Sequence, residues 1–335
     1  MINLLTHIHR LVLVRQLDPE RHVAHPPLAL PARKTFRKPP LSRIVPRSMH
    51  TVSVRVPATT ANLGPGYDCL GIALRLYNHV TLHRGEPAAP SPAPEMAQAV
   101  AQAFFDAAEM KGFPFGWEIH GEVPRSRGLG SSVTVRLGLL HGLNRLAGDP
   151  LEREELFLLC SELEGHPDNA APAEFGGFSV AGENACLTFP VKGALKFVLL
   201  IPDFEIATPD ARKVLPDTIP HREAVLSTAN AARITAAFAS GQYEALEGCF
   251  ADGLHQPYRQ PLIPFLPDTI RAGEEAGALG GFLSGSGSTI ACLTLHKPEA
   301  VAAAMKNSLP AGVTGRTVIT SVDNDGVRTH APVAR

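Results

Sequence analysis

Between Glu164 and Pro172 the chain reads Glu-Gly-His-Pro-Asp-Asn-Ala-Ala-Pro. Three ionisable side chains (Glu164, His166 and Asp168) and the amide of Asn169 therefore fall within six residues. A turn built only for shape seldom needs so many polar groups, although a solvated loop broken by Gly165 and Pro167 reads the same way. Upstream lies a second candidate, Pro124-Arg125-Ser126-Arg127-Gly128-Leu129-Gly130-Ser131-Ser132. Glycines at 128 and 130 let the backbone turn tightly and approach a ligand. A helical pattern follows at once, with Val133, Leu137, Leu140 and Leu143 on one face and Gly148 as a stop. A glycine turn that opens a helix aims N–H groups and the positive dipole end at one point, which is an anion site suited to phosphate. The simpler alternative is a loop-to-helix junction capped by Ser131 or Ser132.

This loop is not a Walker A sequence, because Gly-Lys-Ser and Gly-Lys-Thr are absent from the chain. It is not a dinucleotide fingerprint either, since Val133 stands where the third glycine would fall. Four further stretches join short polar or charged groups to chain breakers. Pro57 to Asp68 holds Asn62 and Asp68 among two glycines and two prolines. Thr208-Pro209-Asp210-Ala211-Arg212 opens a helix with Thr208 as its expected cap. Asp252 to Arg259 carries His255 and Arg259, and Gly280 to Thr289 is rich in glycine and serine. Taken singly, Asn62 and Asp68 read as turn residues and Arg259 as a surface arginine.

The elements that must hold these groups are legible in part. Val52, Val54 and Val56 alternate as in a half-buried strand. Tyr77–Leu82, Trp117–His120 and Phe197–Ile201 read as strands, and Glu95–Met110 as a helix. Gly85–Pro94 is a Pro/Ala-rich surface connection. Asp149-Pro150-Leu151-Glu152 reads as a helix start, with Asp149 as cap and Leu156, Leu159, Cys160 and Leu163 facing inward. Helices are expected over Arg222–Ser240 and Tyr243–Phe250. The tail after Asp323 carries no readable signal.

At 335 residues the chain suits two domains or one large one. Residues 1–48 hold nine Lys or Arg against two acids, and the remainder holds 22 against 30. The body is mildly acidic, which argues against a nucleic-acid groove. No apolar run reaches the length that crosses a membrane. The five cysteines lack paired or metal-type spacing and read as reduced thiols of a cytoplasmic protein. Residues 1–48 lack steady periodicity. A disordered basic tail or a native start near Met49 is expected over a targeting peptide.

Taken together, these phrases resemble the GHMP kinases. Pro124 to Ser132 resembles their phosphate loop, Pro-x-x-x-Gly-Leu-Gly-Ser-Ser. Pro57 to Asp68 resembles their first motif in its homoserine-directed form, Pro-Ala-Thr-x-Ala-Asn-Leu-Gly-x-Gly-x-Asp. Glu164 to Pro172 and Asp252 to Arg259 are similar to further phrases of that branch. Leu283 to Thr289 resembles the third motif, with Ser288 where proline is usual. The resemblance covers roughly residues 50 to 300. It implies an α+β fold with a ribosomal-protein-S5-like N-terminal domain (49–205) holding the phosphate loop and a ferredoxin-like C-terminal domain (206–335). It implies transfer of phosphate from ATP to the hydroxyl of L-homoserine, on the route to threonine, and a homodimer is common in the family.

On that resemblance ATP lies against Pro124 to Ser132 and the following Val133 and Thr134. Mg2+ takes Glu164 with a hydroxyl of Ser131 or Ser132, a donor set that suits it. Asn62, Asp68, His166, Thr208, Arg212 and Arg259 hold the amino acid, and Ser284, Gly285, Ser286 and Gly287 pack against the phosphate loop. Asp168 matches a base used by related kinases, and Asn169 beside it would orient the hydroxyl instead. Phosphoryl transfer rests mainly on positioning, so a base is not obligatory. A mevalonate- or sugar-directed relative would share the glycine loops without the Asn62/Asp68 phrase and Arg259. A non-catalytic nucleotide-binding regulator would be expected to have lost Glu164 or the serines.

Overall fold

The computed structural model describes residues 13–16, 50–85, 93–182 and 185–330. In chain order the elements are β1 (Leu13–Gln16), β2 (Thr51–Ala61), β3 (Leu70–Arg84), α1 (Pro94–Ala107), β4 (Phe115–Gly121), α2 (Ser131–Ala147), α3 (Arg153–Glu164), α4 (Ala170–Phe175), β5 (Phe178–Ala181) and β6 (Ala185–Phe189). They continue with β7 (Lys196–Pro202), α5 (Thr208–Lys213), α6 (His221–Ser240), α7 (Gln256–Arg259), α8 (Leu266–Glu275), β8 (Gly280–Leu283), β9 (Ile290–Thr294), α9 (Pro298–Asn307), β10 (Gly315–Thr320) and β11 (Arg328–His330). Of the extension expected at 1–48, β1 pairs in parallel with β6, and the rest lies outside the described residues. Most of the expected 85–94 connection lies outside them too.

Among the described residues the architecture is α+β with two sheets. The first has the order β1-β6-β5-β3-β2-β11, with β4 also on β3. The second has the order β10-β7-β9-β8. Strand β3 is longer than the pattern predicts, because residues 70–74 are buried on both faces and so show no alternation. Its first half pairs with β5 and its second half with β4. Against β2 the register slips between Pro57 and Ala58, where Pro57 has no N–H to give the ladder. Beyond that irregularity β2 runs through Thr59 and Thr60, so much of the expected loop is strand.

The strand at 197–201 is the middle of β7, which hydrogen-bonds to β9 and β10 in the second sheet although it precedes the expected boundary at 205. Its odd and even residues enter two cores. Phe197, Leu199 and Ile201 join a cluster shared with Ile72, Phe178 and Phe238, while Val198 and Leu200 pack toward α8 and α9. A third core lies between β2–β4 and α1–α3, and it contains the expected Val133, Leu137, Leu140 and Leu143.

Two helix starts differ from expectation. Asp149 does not cap α3. It has a left-handed backbone (φ 57°) and donates its N–H to Asn144 O (2.7 Å), so it closes α2 after Gly148. The true N-cap is Glu152, in a capping box with Glu155. Ala207 rather than Thr208 caps α5. The expected helix at 243–250 is a single 3-10 turn, Tyr243–Leu246.

The shared core depends on aromatic stacking between α6 and the first sheet. The rings of Phe178 and Phe238 lie 4.4 Å apart at 12°. Phe238→Ala is expected to cost about 3–5 kcal/mol in a chemical-denaturation experiment, as removal of a buried ring does. A loss below about 1 kcal/mol would show that the two sheets do not depend on this contact.

Candidate active site

The phosphate loop is shaped by what surrounds it. Gly128 and Gly130 have left-handed backbones, with φ 72° and 68°. A Cβ on Gly128 would sit 2.1 Å from Ser284 O, and one on Gly130 would sit 2.0 Å from Thr59 Oγ1. Glycine is required at both on two counts, conformation and space. The Ser284 hydroxyl donates to Gly128 O (2.6 Å), and the Thr60 hydroxyl must then donate to Ser284 Oγ (2.8 Å). Thr59 N–H donates to Leu129 O and Thr289 N–H to Arg127 O, each at 3.2 Å. The loop is thus held from both sides by backbone and hydroxyls. It opens α2 at Gly130, where no side chain caps the helix. The first N–H groups of any helix lack intrahelical acceptors, so those of α2 are available to an anion. Ser131 and Ser132 are its first two residues, not its caps.

Across from this helix start, α3 ends at Glu164, before Gly165 with φ 83°. The Ser132 hydroxyl donates to Glu164 Oε2 (3.0 Å), and Arg136 donates to Oε1. A carboxylate and a hydroxyl are hard oxygen donors of the kind a small divalent cation takes. In the next turn Asp168 is buried, and its Oδ1 accepts from His166 Nδ1 (2.7 Å), Asn169 N (2.8 Å) and Asn169 Nδ2 (3.3 Å). Burial opposes charge on His166, but the hydrogen bond and charge of Asp168, with Asp68 behind it, raise its pKa above the ordinary value. Asn169 Oδ1 accepts from the Thr59 hydroxyl (2.6 Å), which ties this turn to the phosphate loop.

A charged pocket adjoins the turn. Ligand atoms of Asp68, His166 and Asp168 all lie within 4.8 Å of one another. Asp68, itself left-handed (φ 56°), receives a two-pronged contact from Arg212, with NH2 at 2.9 Å from Oδ1 and NH1 at 3.1 Å from Oδ2. Arg212 NH1 also donates to the Tyr67 hydroxyl (2.9 Å). Arg259 lies on the same tyrosine, its guanidinium 5.3 Å from the ring centroid. Only 2 % exposed, Arg259 donates to the carbonyls of Ala211 and Gly285 (both 3.0 Å) and to His255 Nδ1 (3.2 Å). His255 Nε2 is 2.9 Å from Gly64 O. These partners fix its tautomer, because a carbonyl needs a donor and a guanidinium needs an acceptor. Burial, against the opposing charge of Asp252 and with help from Arg259, pushes the His255 pKa down to about 4, so the ring is neutral.

Two family profiles match the chain: "GHMP kinases N terminal domain" over residues 95–177 and "GHMP kinases C terminal" over residues 216–311. The chain belongs to the GHMP kinase family. It is 39% identical over 275 residues to a homoserine kinase of Caldicellulosiruptor bescii, covering 77% of this chain and 89% of that one. It is 42% identical over 274 residues to a homoserine kinase of Thermosynechococcus vestitus, covering 76% and 90%. Its structure is similar to that of a homoserine kinase from Cytophaga hutchinsonii, with a TM-score of 0.77 and 26% identity over 85% of this chain and 99% of that one. Like its family, this kinase uses ATP to phosphorylate an alcohol.

Most of the expected site residues converge in this kinase, but several do so through the chain itself. Asn62 is buried and spends its amide internally. Its Nδ2 donates to Gly285 O (3.0 Å) and its Oδ1 accepts Asp68 N–H (3.0 Å). Arg127 donates to the carbonyls of Pro202, Arg125 and Asp203 and pairs with Glu205, so it braces the loop against the end of β7. Pro124 is half-buried, whereas Arg125 and Ser126 are exposed. The Val133 side chain is in the core, the Thr134 hydroxyl is bonded to Ser131 O and Asn78, and the Thr134 N–H donates to Gly130 O (3.0 Å), so of these two residues it is the Val133 N–H that is left to face a ligand. Thr208 Oγ1 is 3.3 Å from Ser286 Oγ, linking α5 to the third glycine loop. Tyr67 and Arg136 were not singled out in the sequence, and His255 was named there without a role. Tyr67 and His255 stand inside recognisable phrases, and Arg136 could have been found four residues, one helical turn, after Ser132.

Gly128→Ala is expected to lower ATP affinity at least about tenfold by calorimetric titration, since a methyl cannot enter between the loops. Unchanged affinity would show that the loops part freely. His255 also makes a pH prediction. Its folded pKa is below the unfolded value, so the unfolded chain takes the proton first and stability falls as pH drops from about 6.5 toward 4. His255→Gln should flatten that part of a denaturation profile.

Proposed function

We propose that the kinase transfers the γ-phosphate of ATP to the side-chain hydroxyl of L-homoserine, giving ADP and O-phospho-L-homoserine on the route to threonine. The observation that carries this reading is the Asp68–Arg212 pair beside the phosphate loop. An α-amino acid presents an ammonium and a carboxylate together. Its carboxylate matches the fork of Arg212 and its ammonium matches Asp68, so the amino acid exchanges one ion pair for two. Neither mevalonate nor a sugar offers both charges. The homoserine kinases among its relatives support the same reading.

The remaining roles follow from position. N–H groups at the start of α2 hold the phosphates. Glu164 and Ser132 are the residues that would hold Mg2+, which would supply neutralisation of the charge that develops in phosphoryl transfer. Asn62 sets Asp68, while Arg259, locked by His255 and two carbonyls, supports Tyr67 and adds positive charge behind the carboxylate site. Asp168 and Asn169 lie between the amino-acid pocket and the loop, where they orient the acceptor hydroxyl. No helix of the described residues is long and apolar enough to cross a membrane, and the five free cysteines fit a reducing cytoplasm.

An ADP-release assay with Mg-ATP and separate L-homoserine, mevalonate and galactose tests the reading. Turnover with homoserine alone is expected, and turnover with another acceptor alone would overturn the pocket assignment. Arg212→Ala should raise the homoserine KM about 10- to 100-fold with kcat little changed, as loss of a charged substrate contact does.

A further inference from the structure

Arg136 has no role in the reaction as derived above, yet it occupies the most sensitive carboxylate in the site. It lies one turn past Ser132 on α2 and donates to Glu164 Oε1, while Ser132 takes Oε2. Both oxygens of Glu164 are therefore held from one helix. The pair is largely enclosed, the side chains being 20% exposed for Arg136 and 9% for Glu164. A guanidinium and a divalent cation on one sheltered carboxylate repel each other, so they compete for it. The Ser132 hydroxyl on the same carboxylate belongs to the first turn of α2, so the Arg136 guanidinium and that turn share one partner. A phosphate bound at that turn would offer the guanidinium a second partner, since phosphate suits it as well as a carboxylate does.

We propose that Arg136 is a built-in competitor for the metal. It holds Glu164 until nucleotide is present, and a divalent cation reaches Glu164 by displacing the guanidinium onto the nucleotide's phosphates. Metal alone then binds weakly, and metal arriving with nucleotide binds well, because only the nucleotide gives Arg136 a new partner. The inference rests on the assignment of Glu164 as metal ligand.

The test is Mn2+ binding to the full chain, followed by electron paramagnetic resonance, with and without ADP. Arg136→Met keeps an apolar stem of similar length, Arg136→Gln shortens it and ends in a neutral amide, and Arg136→Lys keeps the charge. Both neutral variants are expected to bind Mn2+ alone about fivefold tighter than the wild type, the scale of one partly sheltered ion pair. Arg136→Lys should stay near wild type. The gain in Mn2+ affinity on adding ADP should shrink by about the same factor in the neutral variants. The proposal is overturned if a folded neutral variant binds Mn2+ no tighter than wild type, or if the ADP gain is undiminished. Glu164→Gln separates the two levels. If with ADP present it binds Mn2+ as the wild type does, the metal assignment itself fails, whatever the Arg136 variants show.

Discussion

The site depends on two missing methyl groups. At Gly128 and Gly130 the space that a Cβ would fill is taken by the Ser284 carbonyl and the Thr59 hydroxyl. Three segments distant in sequence therefore meet at closest packing, and a run of hydroxyl and amide bonds carries order outward from that contact. Thr59 passes it to Asn169 and so to Asp168. Thr60 and Ser284 pass it to the third glycine loop, whose Gly285 carbonyl accepts from both Asn62 and Arg259. The phosphate end and the amino-acid end of the pocket are parts of one network, and neither can shift far without the other.

The polar residues around the Asp68–Arg212 pair fall into two kinds. Asn62 and Arg259 are polar and buried, and each donates to backbone carbonyls, as buried polar groups commonly do. Asn62 accepts the Asp68 N–H, and Arg259 lies on the Tyr67 ring. Asp68 and Arg212, in contrast, are half-exposed and bonded to each other. Each is the natural partner of one end of a zwitterion, so the site keeps its two charges balanced by one another.

Much of this was legible in the sequence because the site is built from short contiguous phrases. Glycine pairs, a polar turn after a breaker and alternating valines each report a local constraint. The long β3 was not legible, since burial on both faces erases the alternation that marks a strand. The start of α3 was misplaced because Asp149 satisfies the end of one helix rather than the start of the next, and both tasks favour the same residue type. The direction of Arg127 and the pairing of Arg136 with Glu164 are long-range facts, fixed by where other elements pass, and spacing alone does not encode them.

The tail after Asp323 carried no signal, yet together with the residues just before it the tail completes the first sheet. Val322 bridges Leu74, and the Asp323 carboxylate accepts from Tyr77. Its backbone exchanges bonds with Ala73 and Gly177, and β11 lies along β2. The sheet that bears the phosphate loop is therefore finished by residues made after the whole of the second sheet. On the ribosome, the first half emerges with the edge of β2 unpaired and the end of α4 unanchored. Its final form waits for β11 to return along β2.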